Sequence, residues 1–517
     1  MKSNPVQKTF FFFALVSCLL AQAQAPEIEW QKYYGGHRIE QVTCVQEVFI
    51  KGKRTAGYIV AGATNSTNGD FANNHGGYDA WILKLNELGD VEWQKCYGDV
   101  DADGVYSIKQ TDDGGFIFVG CTNSNDLTFG KYDAWVVRLN STGDVIWEKT
   151  FGGIDHEDFV AIDYSSDGGY YISGHACSPE IIGGLGGDKE IDVWVVKLNA
   201  GGDIEWKKTW GGNCHDLTHS IKSTKDGGCI VVGHKQLNEH DNIDNNEESE
   251  GWIVKLTKSG KIEWQKNSGV KGYDGFTSVL ETDDGNYIIG GTRGFEHLKQ
   301  KSDFWILKVN KSGNIVWQNI VKEIGNMRLY QQTSDGGFVL AGYNEPDTSS
   351  DVCFDHSIKN SAIVKLNSKG KMEWAKVFYS PGNATLGKWV IQTSDGKFVV
   401  VSNTHKYNDN YTYKDDAKDI WIKKLSYKQL STDIQNPDQL QPIQIYPNPT
   451  NGVFFIASNI NQNARIEVYT ITGKQVLTKN ISPFEKTEVN LTGQMKGVYF
   501  IKVTTIDKVW MNRVVLN

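Results

Sequence analysis

The chain has 517 residues, 12% of them aromatic with 16 tryptophans, and a formal charge of −9. That is length and apolar mass enough for two or three domains with a sizeable core. The acidic balance and the lack of a basic stripe exclude a nucleic-acid partner, and past the leader no run of 18 apolar residues could span a membrane as a helix.

The first 23 residues read as a secretory signal: Lys2 and Lys8, an apolar stretch over 9–20, then the small-x-small triplet Ala21-Gln22-Ala23. Cleavage after Ala23 leaves Gln24 as the new terminus and takes the net charge from −9 to −11. A second reading stays open, because Leu15-Val16-Ser17-Cys18 fits a lipoprotein box that would acylate Cys18. The apolar run continues through Leu19 and Leu20, which favours ordinary cleavage. Seven cysteines then remain (Cys44, Cys96, Cys121, Cys177, Cys214, Cys229 and Cys353). An odd number at irregular spacing is not a disulfide framework, and several fit strand patterns as small hydrophobes.

Next comes a repeat. YDAWILKLNELGDVEW (78–93) recurs at 132–147, 191–206, 249–264, 302–317 and, with Ala362 for the first tryptophan, 360–374. The second tryptophan always lies twelve residues after the first position, and a glycine eight after it: Gly89, Gly143, Gly202, Gly260, Gly313 and Gly370. A strand run, a short glycine-containing loop and a second strand predict a β-hairpin with the glycine at positive φ. Fixed loop length fixes register, so Trp81 and Trp93 are expected on one face unless a bulge intervenes. Ahead of each hairpin stands an Asp-Gly turn feeding a β-branched run, as in TDDGGFIFVG (111–120), and before that another strand. Each unit therefore holds four short strands. The first-tryptophan positions 81, 135, 194, 252, 305, 362 and 421 step by 54, 59, 58, 53, 57 and 59, the spacing of propeller blades.

The ends carry the closure argument. The chain begins with an orphan second-tryptophan strand (27–33) and ends its repeats with an orphan first-tryptophan strand (419–425). Joined, they complete a seventh blade and leave no terminal sheet edge. The fold class expected is all-β: a seven-bladed β-propeller over 24–425 with a shared closing blade, a linker over 426–441, and a small β-sandwich over 442–517. The units, best seen as Gly120-Cys121-Thr122-Asn123-Ser124, then Tyr132-Asp133-Ala134-Trp135 through Asn140, then Phe151-Gly152-Gly153, resemble bacterial seven-bladed propeller repeats of the SBBP type. That resemblance implies a fold and no shared catalytic set. The turn at Thr111, Asp113 and Gly115 also resembles a sialidase Asp-box without its tryptophan.

After the polar, Pro437-containing linker the repeat stops. Asn451-Gly452, Thr472-Gly473 and Lys496-Gly497 mark tight turns between short strands. The carrying stretches are Tyr446-Pro447-Asn448-Pro449 with Gly452, VYTITGKQV (468–476), and Leu491 through VYFIKV (498–503) to Arg513-Val514-Val515-Leu516. They resemble the type A C-terminal sorting domain of bacterial type IX secretion. The resemblance implies a Sec-exported cargo carried across the outer membrane, with the type IX apparatus as partner and the domain usually removed.

The sequence assigns no catalytic, cofactor-binding or metal residue and no cofactor. An acid precedes the first tryptophan by two residues at Asp79, Asp133, Asp192, Asp303 and Asp419, with Glu250 and Asn360 in the other units. A feature of every repeat serves the repeat, so these are read as turn-bridging side chains. Cys214, His215, His219, His234 and His240, with Cys229 nearby, form the densest ligand-like cluster. It lacks the paired spacing of a zinc site. The acidic run 241–250 lacks the order of a calcium loop and reads as a solvated blade loop. With no G-x-S-x-G, P-loop or dinucleotide fingerprint, the expected function is a non-enzymatic surface or secreted binding module for glycan or protein. The alternative is a secreted carbohydrate-active enzyme using carboxylates that converge at one end of the ring.

Overall fold

The structure, a computed structural model, describes residues 25–517 except 51–54, 71–72, 124–129, 183–190, 213, 238–247, 270–271, 297–300, 323–325, 345–358, 381–382, 408–412, 428–442, 459, 461, 471–473, 484 and 507–508. The leader, with the cleavage pair Ala23 and Gln24, lies outside the described residues. So do His240, Cys353 and most of the linker. The chain divides into two compact units at the Lys428/Gln429 boundary.

The first unit is an all-β, propeller-type array of antiparallel four-strand groups. The repeat at 104–151 is representative: Gly104–Gln110, Phe116–Thr122, Asp133–Leu139 and Val145–Phe151 pair in that order. The groups at 216–268 and 273–321 are joined by one parallel bridge between Ser249 and Tyr273. Inner strands of successive groups neighbour one another: Glu40–Glu47, Gly104–Gln110, Glu157–Tyr164, Asp216–Ser223, Tyr273–Glu281, Asn326–Gln332 and Asn383–Gln392, and the last also meets the first. The N-terminal strand Glu27–Tyr34 pairs antiparallel with Tyr413–Ser426, placing Tyr33 opposite Trp421 and Ile28 opposite Leu425.

The hairpin turns form as their residues dictate. Asn86 Oδ1 accepts the N–H groups of Leu88 and Asp90, both at 2.9 Å. The constant glycines have φ between 71° and 81°, the left-handed region that a β-carbon disfavours. The expected common face for the two tryptophans is corrected. Lys84 pairs with Trp93 while Leu85 pairs with Val91, so Glu92 is an extra residue and the strand turns over. Trp81 therefore packs backward against Tyr34, Val399 and Val401, whereas Trp93 packs forward onto the core of Phe116, Phe118 and Val137.

This inversion couples neighbouring groups. Six forward tryptophans cover the next group's turn glycine, among them Trp30 over Gly89, Trp93 over Gly143 and Trp147 over Gly202. Tyr97 donates its hydroxyl to Gly143 O at 2.7 Å, and Lys95 meets Asp144 at 2.5 Å. A β-carbon on Gly143 would lie 2.9 Å from the Trp93 ring. Gly143→Val is thus expected to lose roughly 1–3 kcal/mol through its φ alone, with the ring clash added, while exposed Ser141→Ala changes little. Denaturant melts of the two variants measure this, and a neutral Gly143→Val contradicts the turn assignment.

The second unit is a sandwich of two sheets, one ordered Ile443–Tyr446, Val453–Ser458, Lys486–Asn490, the other Gln475–Ile481, Ala464–Thr470, Gly497–Thr504, Val509–Leu516. Alternating inward residues, including Phe454, Ile456, Ile466, Val468, Ile501 and Val514, make its core. Asn448 pins the last strand: its amide donates to Arg513 O and its Oδ1 accepts Val515 N–H, both at 2.9 Å. That gives the Tyr446-Pro447-Asn448-Pro449 segment a mechanical role.

Candidate functional site

The inner strands share a feature absent from the sequence reading. Each carries a bulge against its neighbour, with the extra residue at Thr43, Tyr106, Val160, His219, Thr277, Tyr330 or Lys388. An extra residue re-aims its side chain out of the sheet's alternation. The exposures agree: Tyr106 is 37% exposed between Val105 at 1% and Ser107 at 9%. His219 and Thr277 are likewise part-exposed beside buried Thr218 and Phe276. Tyr330 stays packed on the core of Val390 and Phe398, with its ring 4.5 Å from that of Trp389; the other side chains face the inner edge of the array. Thr43 donates to Val105 O of the next group at 2.9 Å, and Tyr330 donates to Lys388 O.

The signal was present in the spacing. From the second repeat on, one inner-strand residue sits seven positions ahead of the Asp of the Asp-Gly turn: Tyr106, Val160, His219, Thr277, Arg328 and Lys388. In the sixth group the bulge falls two residues later, at Tyr330, yet Arg328 is exposed between Met327 at 2% and Leu329 at 1%.

Beside this edge lies a histidine cluster. His219 Nε2 and His234 Nδ1 are 2.9 Å apart, with rings stacked at 5.0 Å. The Tyr273 hydroxyl meets His234 Nε2 at 3.2 Å. Burial holds both imidazoles neutral: His234 is pushed down to about 4, and His219 lies well below its usual range through burial, His234 and the Arg328 charge. His175 differs. Burial opposes its charge, but the Asp158 carboxylate at 2.8 Å overcomes this and raises its pKa. Of the cluster read from sequence, His219 and His234 come together. His215 instead accepts the Ile191 N–H at 3.0 Å, Cys229 is buried in an apolar core, and no disulfide joins the six described cysteines. Sequence reasoning missed His175, Asp158 and Tyr273, which reach the cluster from other strands. Among the described residues, no group of three or more His, Cys, Asp or Glu is placed to hold a metal ion.

Of the repeated acids, Asp79, Asp133 and Asp192 are fully buried inside their groups, while Glu250, Asp303 and Asp419 are half-buried. Asp79 is fully buried and accepts the His75 N–H at 2.9 Å. Asp133 and Asp192 pack so closely on Gly152 and Gly211 that a β-carbon there would fall within 2.1 and 1.5 Å of their oxygens. The turn aspartates grip basic residues of the hairpin: Asp113 with Arg138 at 2.5 Å, Asp167 with Lys197 and Asp226 with Lys255, both at 2.9 Å. The Thr111 hydroxyl, the Gly115 N–H and Arg138 hold the Asp113 carboxyl down at about 2. Both sets serve the scaffold.

One buried group breaks the repeat. Lys423 is fully buried where the other groups carry Leu83, Val137, Val196, Val254, Leu307 and Val364. Its Nζ donates to Ser402 Oγ at 3.0 Å and lies 3.5 Å over the Trp421 ring. Burial alone drives its pKa well below the usual lysine range. The folded state therefore prefers the neutral amine, so wild-type stability falls as pH drops below the unfolded value of about 10.4. Lys423→Leu is expected to raise stability at pH 7 by roughly 1–3 kcal/mol, with the gain shrinking towards pH 10. Thermal melts from pH 6 to 10 check this; a variant destabilised throughout contradicts it.

These features define an exported all-β protein of propeller type carrying a sorting module. Residues 444–517 match the secretion system C-terminal sorting domain family. The module marks the chain for the type IX machinery and for a surface or secreted location. No described helix is long and apolar enough to cross a membrane. No curated protein matches the chain. Among solved structures the chain is similar to a protein of unknown function from Bacteroides caccae at 12% identity and TM-score 0.34, covering 62% of this chain and 93% of that one. It is also similar to puromycin hydrolase (10%, TM-score 0.38, 74% and 62% covered) and to a mutant of Synechocystis apocarotenoid oxygenase (11%, TM-score 0.39, 79% and 95% covered). Likenesses this low carry no argument about activity.

Proposed function

We infer that the chain is a non-enzymatic binding protein of the cell surface or medium, and that its first unit is an SBBP-type ring of seven blades closed by the shared terminal strands. Its ligand is a glycan or a protein. The observation carrying this reading is the joining of a sorting module, spanning 444–517, to a repeat array whose repeated polar residues are absorbed by the scaffold. The buried acids and the turn aspartates hold turns and hairpins, which leaves recognition to the side chains that differ between repeats. Those lie on the inner edge and the connecting loops, where binding groups concentrate on rigid scaffolds. An array of glycans and cell-surface proteins, probed with the secreted chain, tests it. Retention of a ligand unchanged supports binding. Turnover of an arrayed glycan overturns the non-enzymatic reading.

A further inference from the structure

We propose that the inner edge at the bulge level is a binding site for a small oxyanion: the carboxylate, sulfate or phosphate group of a ligand that enters the ring. The inference deepens the binding reading above and rests on the ring it describes.

At this level six of the seven inner strands present Thr43, Tyr106, Val160, His219, Thr277 and Lys388, and the sixth strand presents Arg328 by spacing and exposure. Two are permanent cations, and none is an acid. Arg328 and Lys388 stand on the neighbouring strands Asn326–Gln332 and Asn383–Gln392. Arg328 makes no ion pair with a described residue. Its charge adds to burial and His234 in depressing the His219 imidazole, two groups away. A protein of net charge −9 has thus gathered positive charge where its strands converge, and converging walls of one sign focus the field on a ligand of the other.

Four carboxylates of the inner strands are engaged. Asp158 is held by His175 at 2.8 Å, and Asp163 by Lys222 at 2.8 Å with Lys109 at 3.8 Å. Glu47 and Glu281 lie four residues further along their strands, where Glu47 accepts the Ser394 N–H at 2.7 Å and Glu281 the Lys225 N–H at 2.9 Å. The donors suit an oxyanion. A guanidinium offers a planar fork to two oxygens and an ammonium offers a point charge. Tyr106, 37% exposed, offers aromatic surface for the carbon skeleton of a sugar.

The test is calorimetry on the full secreted chain at low salt with sodium sulfate, inorganic phosphate, glucuronate and, as the uncharged comparison, glucose. At least one oxyanion is expected to bind and glucose to fail. Arg328→Gln and Lys388→Gln are each expected to weaken binding about tenfold, as loss of a charge-assisted contact does, while Lys149→Gln on an outer strand has no effect. Added salt weakens the interaction. Melting curves show that the variants fold, and Arg328→Lys, which keeps the charge, retains part of the affinity. Glucuronate binding with sulfate and phosphate silent assigns the site to an acidic sugar; binding of all three assigns it to the bare oxyanion. No binding by any oxyanion, or binding as tight as the parent's by both charge-removed variants, overturns the proposal. A glycan still retained by Arg328→Gln on the array would then show that the binding reading survives without this site.

Discussion

Deleting residues 24–34 is expected to destabilise the first unit by about 3 kcal/mol or more and to broaden its melting transition. The strand Glu27–Tyr34 supplies the fourth member of a sheet whose other three strands come from the far end of the repeats. Its register pairs Ile28 through Tyr34 with Leu425 through Ile420. Tyr33 stacks on Trp421 at 5.4 Å with the planes 8° apart, and Tyr34 is buried at 4% exposure. The same seam is bonded elsewhere: Asn403 Oδ1 accepts the Val42 N–H at 2.9 Å, and Ser394 donates its N–H and hydroxyl to Glu47 at 2.7 and 2.8 Å. Without the strand, the Tyr413–Ser426 backbone becomes an open edge, which invites pairing between molecules. Trp30 also leaves Gly89, so the first hairpin loses its cover. Calorimetric melts and sedimentation of the truncated chain measure both effects. A truncated protein that melts like its parent, as a monomer, contradicts closure by the shared sheet.

The hairpins were legible in the sequence because their constraints are local. Loop length, the Asn86 turn and the glycine at positive φ follow from residues within a dozen positions of one another. The orphan strands were legible too, since a repeat that starts and stops out of phase exposes its own seam. The opposed faces of Trp81 and Trp93 were not. They depend on the extra residue Glu92, a backbone choice that leaves the side-chain pattern unchanged. The inner-edge residues were hidden for the same reason, and Tyr330 shows that the bulge can move without disturbing the repeat. Lys423 was visible as a lysine in a column of Leu and Val, but only burial reveals its cost. The histidine cluster was half legible: His219 and His234 face each other across adjacent strands, while Asp158, His175 and Tyr273 come from other strands and share no sequence signature with them.

Removing residues 442–517 is expected to leave a folded first unit that no longer reaches the surface. The two units cluster separately along the chain, and the second has its own closed core, with Phe454, Ile466 and Ile501 all at 0% exposure. A unit with its own core is not needed for its neighbour's stability. A leader of the kind read at 1–23 delivers a chain to the periplasm alone. The sorting module at 444–517 supplies the second address, so its loss strands the cargo between the membranes. A more local lesion tests the same point. Asn448→Ala removes both bonds that tie the module's start to its last strand, and is expected to cost about 1–2 kcal/mol of module stability with partial loss of export.

The most direct measurement is fractionation of cells with a working type IX apparatus, expressing the full and the truncated chain side by side, with mass spectrometry of both termini of the surface or secreted species. The account predicts a surface or released form beginning at Gln24 and lacking the C-terminal module, and a truncated chain confined to the periplasm. Truncated chain on the surface at the level of the parent would contradict it, and a lipid on Cys18 would move the anchor to the other end of the molecule.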